Sequence, residues 1–150
     1  MSKTTMSLQE VADRMEINNL LIDYCDAVDR DEIDRFDDIF TPDALIDYSV
    51  FGGPRGGLEE IKAFLKEVLP RVPVKQHMIA NSRVWLDGDT ARSRTLCFNP
   101  MSVPVAGDQL EMTYYGLWYV DTLVRTEAGW RISERLEEKS YIFKAAGSLE

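Results

Sequence analysis

The second half of the chain reads as four consecutive strands, and this run limits the possible folds more than any other feature of the sequence. The strand-like segments cover residues 77–86, 91–98, 110–125 and 130–143. Turn-forming residues at 87–89 and 127–129 join two of the neighbouring pairs. Strands joined by short turns are typical of antiparallel hairpins, so the sequence predicts one sheet built from neighbouring strands.

Two helical segments are predicted before the first strand. The first has apolar residues spaced as on one face of an amphipathic helix, at Ile17, Leu20, Leu21, Tyr24, Cys25 and Val28. A shorter helical pattern covers residues 33–40 and stops at the turn-forming residues 41–43, where Pro42 disfavours continuation. An αα pair is therefore expected to open the fold.

A strand and a third helix follow this pair. Residues 45–50 alternate apolar and polar side chains, which predicts a strand with Tyr48 facing inward. The glycine-rich residues 52–57 predict a flexible turn, and the apolar pattern over 58–69 predicts a helix that ends at Pro70. The order α-α-β-α-β-β-β-β indicates an α+β fold in which helices cover one face of a curved sheet. A sheet wrapped around helices encloses a pocket.

The composition indicates a single domain and argues against several partners. With 150 residues, of which 45% are hydrophobic, the chain is long enough for one domain with a core. The net charge of −9 repels nucleic acid and anionic lipid surfaces. The opening residues lack the apolar core of a signal peptide, and no uncharged apolar run approaches the ~18 residues of a membrane span. We therefore expect a soluble cytoplasmic protein that binds neither nucleic acid nor membranes.

The cysteine and histidine content predicts no transition-metal centre. Cys25 and Cys97 lie 72 positions apart, and a single histidine does not complete a metal shell with them. Both cysteines are predicted to be reduced packing residues. The acidic run at 31–38 lacks the spacing and the glycine of a calcium loop, which favours a solvated helix face. A carboxylate-rich divalent site remains the alternative.

The only histidine, His77, focuses every acid–base hypothesis on one position. Histidine is the side chain that most readily takes up and returns a proton near neutral pH. On the first helix, with about 100° of rotation per residue, Asp29 lies nearer to the apolar face than Asp23 or Asp26. Asp29 is thus the carboxylate best placed to reach a pocket, with a capping role as the alternative. For His77 the alternative is a buried ring held by one hydrogen bond.

Two tyrosines are candidates to complete a site around His77 and Asp29. Tyr24 falls within the apolar stripe of the first helix, and Tyr48 falls on the inward face of the first strand. Buried phenols need hydrogen-bond partners, and core packing is the alternative role for each. Together, a histidine, a carboxylate and two phenols supply a base, a group that orients it and two neutral donors for an oxyanion.

Three short motifs contain these residues: Tyr-Cys-Asp-Ala-Val-Asp at 24–29, Ile-Asp-Tyr-Ser at 46–49 and Gln-His-Met at 76–78. In these motifs and in its order of elements, the chain resembles the SnoaL-like branch of the nuclear-transport-factor-2-like superfamily, of the scytalone dehydratase and bile acid 7α-dehydratase type. The resemblance covers about residues 8–143 and implies one SnoaL-like domain over residues 1–150. It also implies a cone-shaped, curved antiparallel sheet wrapped around helices.

The resemblance implies roles for individual residues. Asp29 matches the family aspartate that holds the catalytic histidine, and His77 matches that histidine. Tyr48 matches the strand tyrosine that polarises the substrate carbonyl, and Tyr24 matches a helix tyrosine of the bile acid enzymes. These four residues form the predicted catalytic group.

Other positions depart from the family pattern. Scytalone dehydratases carry a second active-site histidine on a later strand, where this chain has Tyr-Tyr-Gly-Leu-Trp at 114–118. Val28 stands where those enzymes have a tyrosine before the aspartate, so the tyrosine pattern is closer to the bile acid type. That type uses a basic residue of its last strand, near which this chain has Lys139. Lys139 is predicted to contact substrate, as are Asn99 and Tyr114, on strands expected to line the cone.

The expected chemistry is a cofactor-independent dehydration of a small hydrophobic cyclic β-hydroxy carbonyl compound. In this hypothesis His77 is the base of a syn elimination, Asp29 holds it, and the tyrosines polarise the carbonyl. A ketosteroid isomerase-like or polyketide cyclase-like enzyme and a non-catalytic ligand-binding module are the alternatives. No metal or organic cofactor is expected. By resemblance, a homodimer or homotrimer is expected to form through the outer sheet face, with Trp118 or Tyr119 buried there.

Overall fold

A curved six-stranded sheet packed on two α-helices forms the fold of the described residues, which are 5–106 and 109–145 of the computed structural model. The helices are α1 (Leu8–Asp29) and α2 (Leu58–Val68). The strands are β1 (Phe40–Asp47), β2 (Arg55–Gly57), β3 (Met78–Asp87), β4 (Thr90–Pro104), β5 (Leu110–Thr126) and β6 (Gly129–Ala145). Short 3₁₀ helices cover Ile33–Asp38, Ser49–Phe51 and Leu69–Arg71. The α+β class and the general order of elements are confirmed.

The strands of the described sheet follow the order β2-β1-β6-β5-β4-β3. Strands β3 to β6 form the predicted antiparallel hairpins. β1 runs parallel to β6, whereas the other described pairs of neighbouring strands are antiparallel, as predicted. The two strands are far apart in the chain, and therefore no hairpin fixes their relative direction.

Three local predictions in the first half of the chain are corrected. The second helical segment is a 3₁₀ helix over Ile33–Asp38 rather than an α-helix. The predicted turn at 41–43 lies inside β1, where the pairing with β6 is interrupted, so the missing N–H of Pro42 costs no hydrogen bond to β6. β1 ends just before Tyr48, and the predicted turn at 52–57 contains strand β2.

Helix α1 packs its predicted apolar face on the sheet. Ser7 and Glu10 form a capping box at its start, in which each side chain accepts a hydrogen bond from the other residue's backbone N–H. All six residues of the predicted face are buried, in one core with Leu123 and Trp130 of β5 and β6. Although α1 has 22 residues, no helix in the described part of the chain is both long and apolar enough to cross a membrane.

An irregularity in β6 decides which of its side chains face the core. The pairing with β5 skips Ser133, which is therefore the extra residue of a β-bulge. A bulge shifts the alternation of a strand by one position. Trp130 and Ile132 face the core before the bulge, whereas Arg135 and Glu137 face inward after it. The bulge thus brings two ionisable residues to the inner face of the sheet.

Both cysteines are packing residues, as predicted. Cys25 on α1 and Cys97 on β4 are free and buried in the core. Burial raises the pKa of the Cys25 thiol to about 11 and that of the Cys97 thiol to about 12. A thiol that stays protonated is a poor nucleophile, so neither cysteine is a candidate for covalent chemistry.

Candidate active site

A cavity of about 370 Å³ lies between the helices and the inner face of the sheet. Its walls are mainly aromatic and aliphatic, with Phe51, Phe64 and Leu117 as representatives. Polar side chains line it at Tyr24, Tyr48, His77, Asn99, Tyr115, Tyr119 and Glu137. An apolar cavity with a few polar groups is typical of a site for a hydrophobic small molecule.

The carboxylate of Asp29 binds His77 at two points. Its Oδ1 lies 2.6 Å from Nδ1 of the imidazole, and its Oδ2 accepts the backbone N–H of His77 at 2.9 Å. Asp29 is the last residue of α1, and His77 directly precedes β3. The His77 side chain is 5% exposed. The structure therefore brings together the two residues that the sequence predicted as a pair.

The partners of His77 fix the position of its ring proton. Because a carboxylate only accepts hydrogen bonds, Nδ1 carries the proton and donates to Asp29. Nε2 then has a free lone pair, and it accepts a hydrogen bond from Nδ2 of Asn99 at 2.9 Å. The Asn99 amide is buried, and its Oδ1 has no hydrogen-bond partner among the described residues. His77 thus presents a basic nitrogen beside an amide of the cavity wall.

A pair of buried phenols forms a second polar group of the cavity. The hydroxyls of Tyr24 and Tyr48 are 2.7 Å apart, and both side chains are buried. Burial raises the pKa of both phenols above the ordinary value, so both are neutral. One hydroxyl donates to the other, and the accepting hydroxyl keeps its own proton for a third oxygen. The pair therefore offers a neutral donor to a bound molecule.

The glycine-rich segment holds Tyr48 in place. The backbone N–H of Tyr48 donates to the carbonyl of Pro54 at 3.0 Å, and the N–H of Gly53 donates to the carbonyl of Tyr48 at 3.1 Å. A Cβ added to Gly53 would lie 2.8 Å from the Cβ of Tyr48, closer than such atoms approach each other. The glycine-rich segment, from which only a flexible turn is predicted, therefore positions the Tyr48 side chain in the cavity.

A buried ion pair lies next to the phenols. Arg135 donates to Asp121 from Nε to Oδ1 at 2.7 Å and from Nη2 to Oδ2 at 2.9 Å. The guanidinium carbon of Arg135 lies 4.0 Å from the ring centroid of Tyr24 and 4.2 Å from that of Tyr119. This stacking fixes the Tyr24 ring. The positive charge also opposes the effect of burial on the pKa of the Tyr24 phenol.

Glu137 is a cavity residue that the sequence pattern does not predict. It is half-buried in the cavity wall, and its carboxyl group has no hydrogen-bond partner among residues 5–106 and 109–145. Burial raises the pKa of this carboxyl to about 8, and the charge of Arg135 limits the rise. Strict alternation from Trp130 would put residue 137 on the outer face. Only the bulge at Ser133 turns it inward, and no sequence signal marks that bulge.

Of the three predicted substrate contacts, Asn99 lines the cavity and the other two do not. Tyr114 lies on the opposite face of β5, where its ring stacks on Phe98 at a centroid distance of 5.9 Å. Successive residues of a strand face opposite sides, so the neighbour Tyr115 lines the cavity instead. Lys139 is exposed, because β6 continues there beyond the last residue paired with β1. Neither Tyr114 nor Lys139 therefore contributes to the wall of this cavity.

The two aromatic residues expected at a subunit interface lie on different sides of β5. Tyr119 is buried in the core, with its ring edge-on to Tyr24 at a centroid distance of 5.5 Å. Its expected place at an outer interface is wrong. Trp118 lies on the outer face under the guanidinium of Arg94, at 3.8 Å. Of the two residues, only Trp118 stays a candidate for contact with a second subunit.

The acidic run at 31–38 takes part in ion pairs with lysines. The pairs are Asp31 with Lys75 at 3.0 Å, Asp34 with Lys66 at 2.6 Å and Asp37 with Lys62 at 2.7 Å. Within the described ranges, no group of three or more His, Cys, Asp or Glu side chains is arranged to hold a metal ion. The run is therefore a lysine-paired surface.

Comparisons with known proteins agree with this architecture. A family model for the SnoaL-like domain matches residues 9–136. The uncharacterized protein Rv2910c of Mycobacterium tuberculosis (strain ATCC 25618 / H37Rv) is 47% identical over 141 residues, which cover 94% of this chain and 95% of that protein.

Two solved structures show the same fold at low sequence identity. A protein of Novosphingobium aromaticivorans DSM 12444 named "Putative Scytalone Dehydratase" has a TM-score of 0.80 and 14% identity, over 95% of this chain and 94% of its own. Hexachlorocyclohexane dehydrochlorinase LinA-type3 from Novosphingobium barchaimii LL02 has a TM-score of 0.80 and 22% identity, over 94% of this chain and 95% of its own.

The family match covers most of the elements that build the cavity. It includes Asp29, Tyr48, His77 and Asn99, and it ends one residue before Glu137. A match over this much of the sequence is sufficient to assign the family, and it agrees with the motifs at 24–29, 46–49 and 76–78. The chain belongs to the SnoaL-like domain family.

Proposed function

We propose that the protein is a cofactor-independent lyase that removes water from a small, hydrophobic, cyclic β-hydroxy carbonyl compound. The observation that carries the proposal is the Asp29–His77 pair, whose basic Nε2 belongs to an apolar cavity that also contains two neutral phenols. A base and hydrogen-bond donors for an oxyanion are the two requirements for removing a proton next to a carbonyl.

In the first step, Nε2 of His77 takes the proton from the carbon next to the carbonyl. The electrons of that C–H bond form the enolate, and the Tyr24–Tyr48 pair donates a hydrogen bond to the oxygen on which negative charge develops. Asp29 accepts the Nδ1–H, which holds the ring in place and stabilises the imidazolium.

In the second step, the imidazolium gives its proton to the hydroxyl group on the β carbon. The C–O bond breaks, water leaves, and the electrons of the enolate form the new C=C bond of the unsaturated product. His77 is then neutral again. Since one group removes and returns the proton, both transfers take place on the same face of the substrate, and the elimination is syn.

Asn99 constrains how a substrate approaches His77. Its amide donates to Nε2, so the substrate must displace this N–H from the lone pair before proton transfer. The Oδ1 of the same amide, which has no partner among the described residues, supplies an acceptor for the substrate hydroxyl. That contact would keep the leaving oxygen close to His77.

The cavity supports the substrate class. A volume of about 370 Å³ with mainly aromatic and aliphatic walls suits one small ring compound. The names of the two fold neighbours are consistent with eliminations, one of water and one of hydrogen chloride. We therefore include both leaving groups in the experiment.

The test is a mass-spectrometric screen for loss of water or hydrogen chloride. The panel contains cyclic β-hydroxy and β-chloro ketones, both steroidal and polyketide-like, and the proteins are wild type, His77→Ala and Asp29→Asn. Asp23→Asn is the matched control, because Asp23 is an exposed carboxylate of the same helix. We expect turnover by wild type and Asp23→Asn, and its loss in both site variants.

Other outcomes would select the alternatives. Ligand binding without turnover, unchanged in His77→Ala, would make the domain a binding module. Exchange of the α proton with deuterium, dependent on His77 but without loss of a leaving group, would indicate an isomerase-like or cyclase-like enzyme. Either result would contradict the proposed elimination.

A further inference from the structure

Glu137 is an ionisable cavity residue that the proposed mechanism leaves unused. It lines the same cavity as His77 and the two phenols, and its carboxyl group has no hydrogen-bond partner among the described residues. A buried or half-buried carboxyl that lacks a partner in the protein requires an explanation. We propose that Glu137 acts in its un-ionised form, as a hydrogen-bond donor that joins the Tyr24–Tyr48 pair in holding the carbonyl oxygen of a neutral substrate.

The register of the parallel strands places Glu137 beside the phenols. In the β1–β6 pair, Asp47 is the partner of Leu136. Tyr48 follows this last pair just after the end of β1, and Glu137 follows it in β6. On its other side, Glu137 pairs with Tyr119 of β5. The Glu137 carboxyl and the Tyr48 phenol both line the cavity, and Glu137 is close enough for its charge to raise the pKa of the phenol.

The surroundings of Glu137 favour the neutral carboxylic acid. The charged and titratable groups that interact electrostatically with it are Arg135 of β6, Asp47 of β1, Tyr119 of β5, Cys97 of β4, Tyr24 of α1 and Tyr48 after β1. Among them only Arg135 is a cation, and Asp121 already holds its guanidinium in a buried pair. Burial raises the pKa of the Glu137 carboxyl to about 8, with Asp47 adding to the rise.

A protonated carboxyl in an apolar site donates a hydrogen bond where an ionised one accepts. The consequence is a preference for ketones and aldehydes, whose oxygen accepts. A substrate carboxylate near the reacting centre is disfavoured once Glu137 ionises, because the two negative charges repel each other. The inference rests on the proposed function only in taking the held oxygen to be a carbonyl.

A first measurement reads the protonation state directly. The protein is prepared with glutamate labelled with ¹³C at the side-chain carboxyl, and NMR spectra are recorded from pH 4 to pH 10. Glu137→Gln assigns the resonance that is lost. We expect the Glu137 carbon to titrate near 8, the value that burial produces. Titration near the ordinary value of 4.5 would overturn the inference.

A second measurement reads the donated hydrogen bond. The probe is α-tetralone labelled with ¹³C at its carbonyl, an aromatic ring ketone that neither titrates nor has a leaving group. For wild type at pH 6.5 we expect a downfield shift of the bound carbonyl resonance. Glu137→Leu should lose part of this shift and bind about tenfold more weakly, as expected for one lost hydrogen bond. Glu137→Gln keeps an N–H donor and should bind within about threefold of wild type.

The pH dependence separates a donor from a packing residue. Wild-type affinity for the tetralone should fall by about tenfold as the pH rises through 8, whereas the affinity of Glu137→Gln should stay constant. Glu138→Leu is the matched control, because Glu138 is the exposed neighbour on the same strand. Equal affinity and carbonyl shift in wild type and Glu137→Leu would overturn the inference.

The tetralone has no group to eliminate, so its binding does not depend on turnover. If the screen finds no elimination while the Glu137-dependent shift persists, the donor role stands and the proposed reaction is wrong. If elimination proceeds and Glu137→Leu binds the tetralone like wild type, the reaction stands and the role of Glu137 is wrong.

Discussion

Asp29 and Asp121 each bind a nitrogen-containing side chain, and the two pairs differ in their surroundings. Asp29 lies 2.6 Å from Nδ1 of His77, and Asp121 lies 2.7 Å from Nε of Arg135. His77 lines the cavity, where its second ring nitrogen accepts a hydrogen bond from the Asn99 amide. The Arg135 pair is fully closed, with both side chains 0% exposed.

The comparison shows that a short charged contact does not by itself indicate a catalytic role. Arginine keeps its proton at any pH that a folded protein experiences, so the Asp121–Arg135 pair has no proton to exchange. Its guanidinium instead packs against the Tyr24 ring. His77 has one nitrogen held by a carboxylate and another with a lone pair, and this asymmetry makes it a base. Access and proton affinity together separate the two roles.

Breaking the Asp29–His77 pair should have the largest effect of the three changes, and this effect is on activity. With a substrate from the screen, His77→Gln is expected to lower kcat/KM by about 10²–10⁴-fold, because the glutamine amide cannot accept the proton. The free energy of unfolding should change by about 1 kcal/mol or less, since Asp29 keeps the backbone N–H of residue 77 as a partner. Steady-state kinetics and urea denaturation measure the two effects. A loss of stability as large as that expected for Arg135→Leu would contradict the distinction between the two pairs.

Breaking the fully buried Asp121–Arg135 pair should lower the stability of the fold. Arg135→Leu leaves Asp121 buried without its partner, and we expect a loss of about 3–5 kcal/mol in the free energy of unfolding. The double variant with Asp121→Leu should recover most of this loss, because it removes the unpaired charge. Urea denaturation of both variants measures the difference. A double variant as unstable as Arg135→Leu would show that the pair itself, rather than the orphaned charge, determines stability.

A third pair, at the edge of the core, sharpens the comparison. Arg125 donates to both carboxylate oxygens of Asp13 at 2.8 Å, and this contact holds the pKa of Asp13 well below its ordinary value. The stabilisation by this ion pair is fully present above the ordinary pKa of 3.8. It is lost progressively as the pH falls from there through the lowered pKa of Asp13 in the folded protein. Asp13→Asn should cost about 2 kcal/mol at pH 7 and clearly less at pH 2.5, because protonation of Asp13 in the unfolded chain has removed part of the stabilisation there. Denaturation curves at pH 7 and pH 2.5 measure this, and an equal loss at both would contradict it.

The regular parts of the site were predictable from the sequence. Asp29 was found by counting angles on a helix, and the count holds because α1 is uninterrupted and ends at that residue. His77 was found because it is the only histidine. Tyr24 is predicted from the apolar face of the same helix. Tyr24 and Asp29 both lie where the helical pattern places them.

The irregular parts were not predictable, and each error has a local cause. The sequence does not separate Tyr114 from Tyr115 as the cavity residue, because a shift of one residue exchanges the two faces of a strand. Glu137 was missed because the bulge at Ser133 reverses the alternation of β6. Lys139 was assigned by its basic side chain, while its position depends on where β1 stops pairing with β6. Register and bulges depend on neighbouring strands, which a single segment of sequence does not specify.

The parallel contact between β1 and β6 has a consequence for the order in which the molecule folds. Asp47 and Leu136 are partners although 89 positions separate them in the chain. Contacts between distant segments form slowly, because the loop between them must lose its entropy first. The neighbourhood of Tyr48 and Glu137 is therefore expected to assemble last, after the local hairpins. On the ribosome, this half of the cavity has no wall until the final strand has been synthesised.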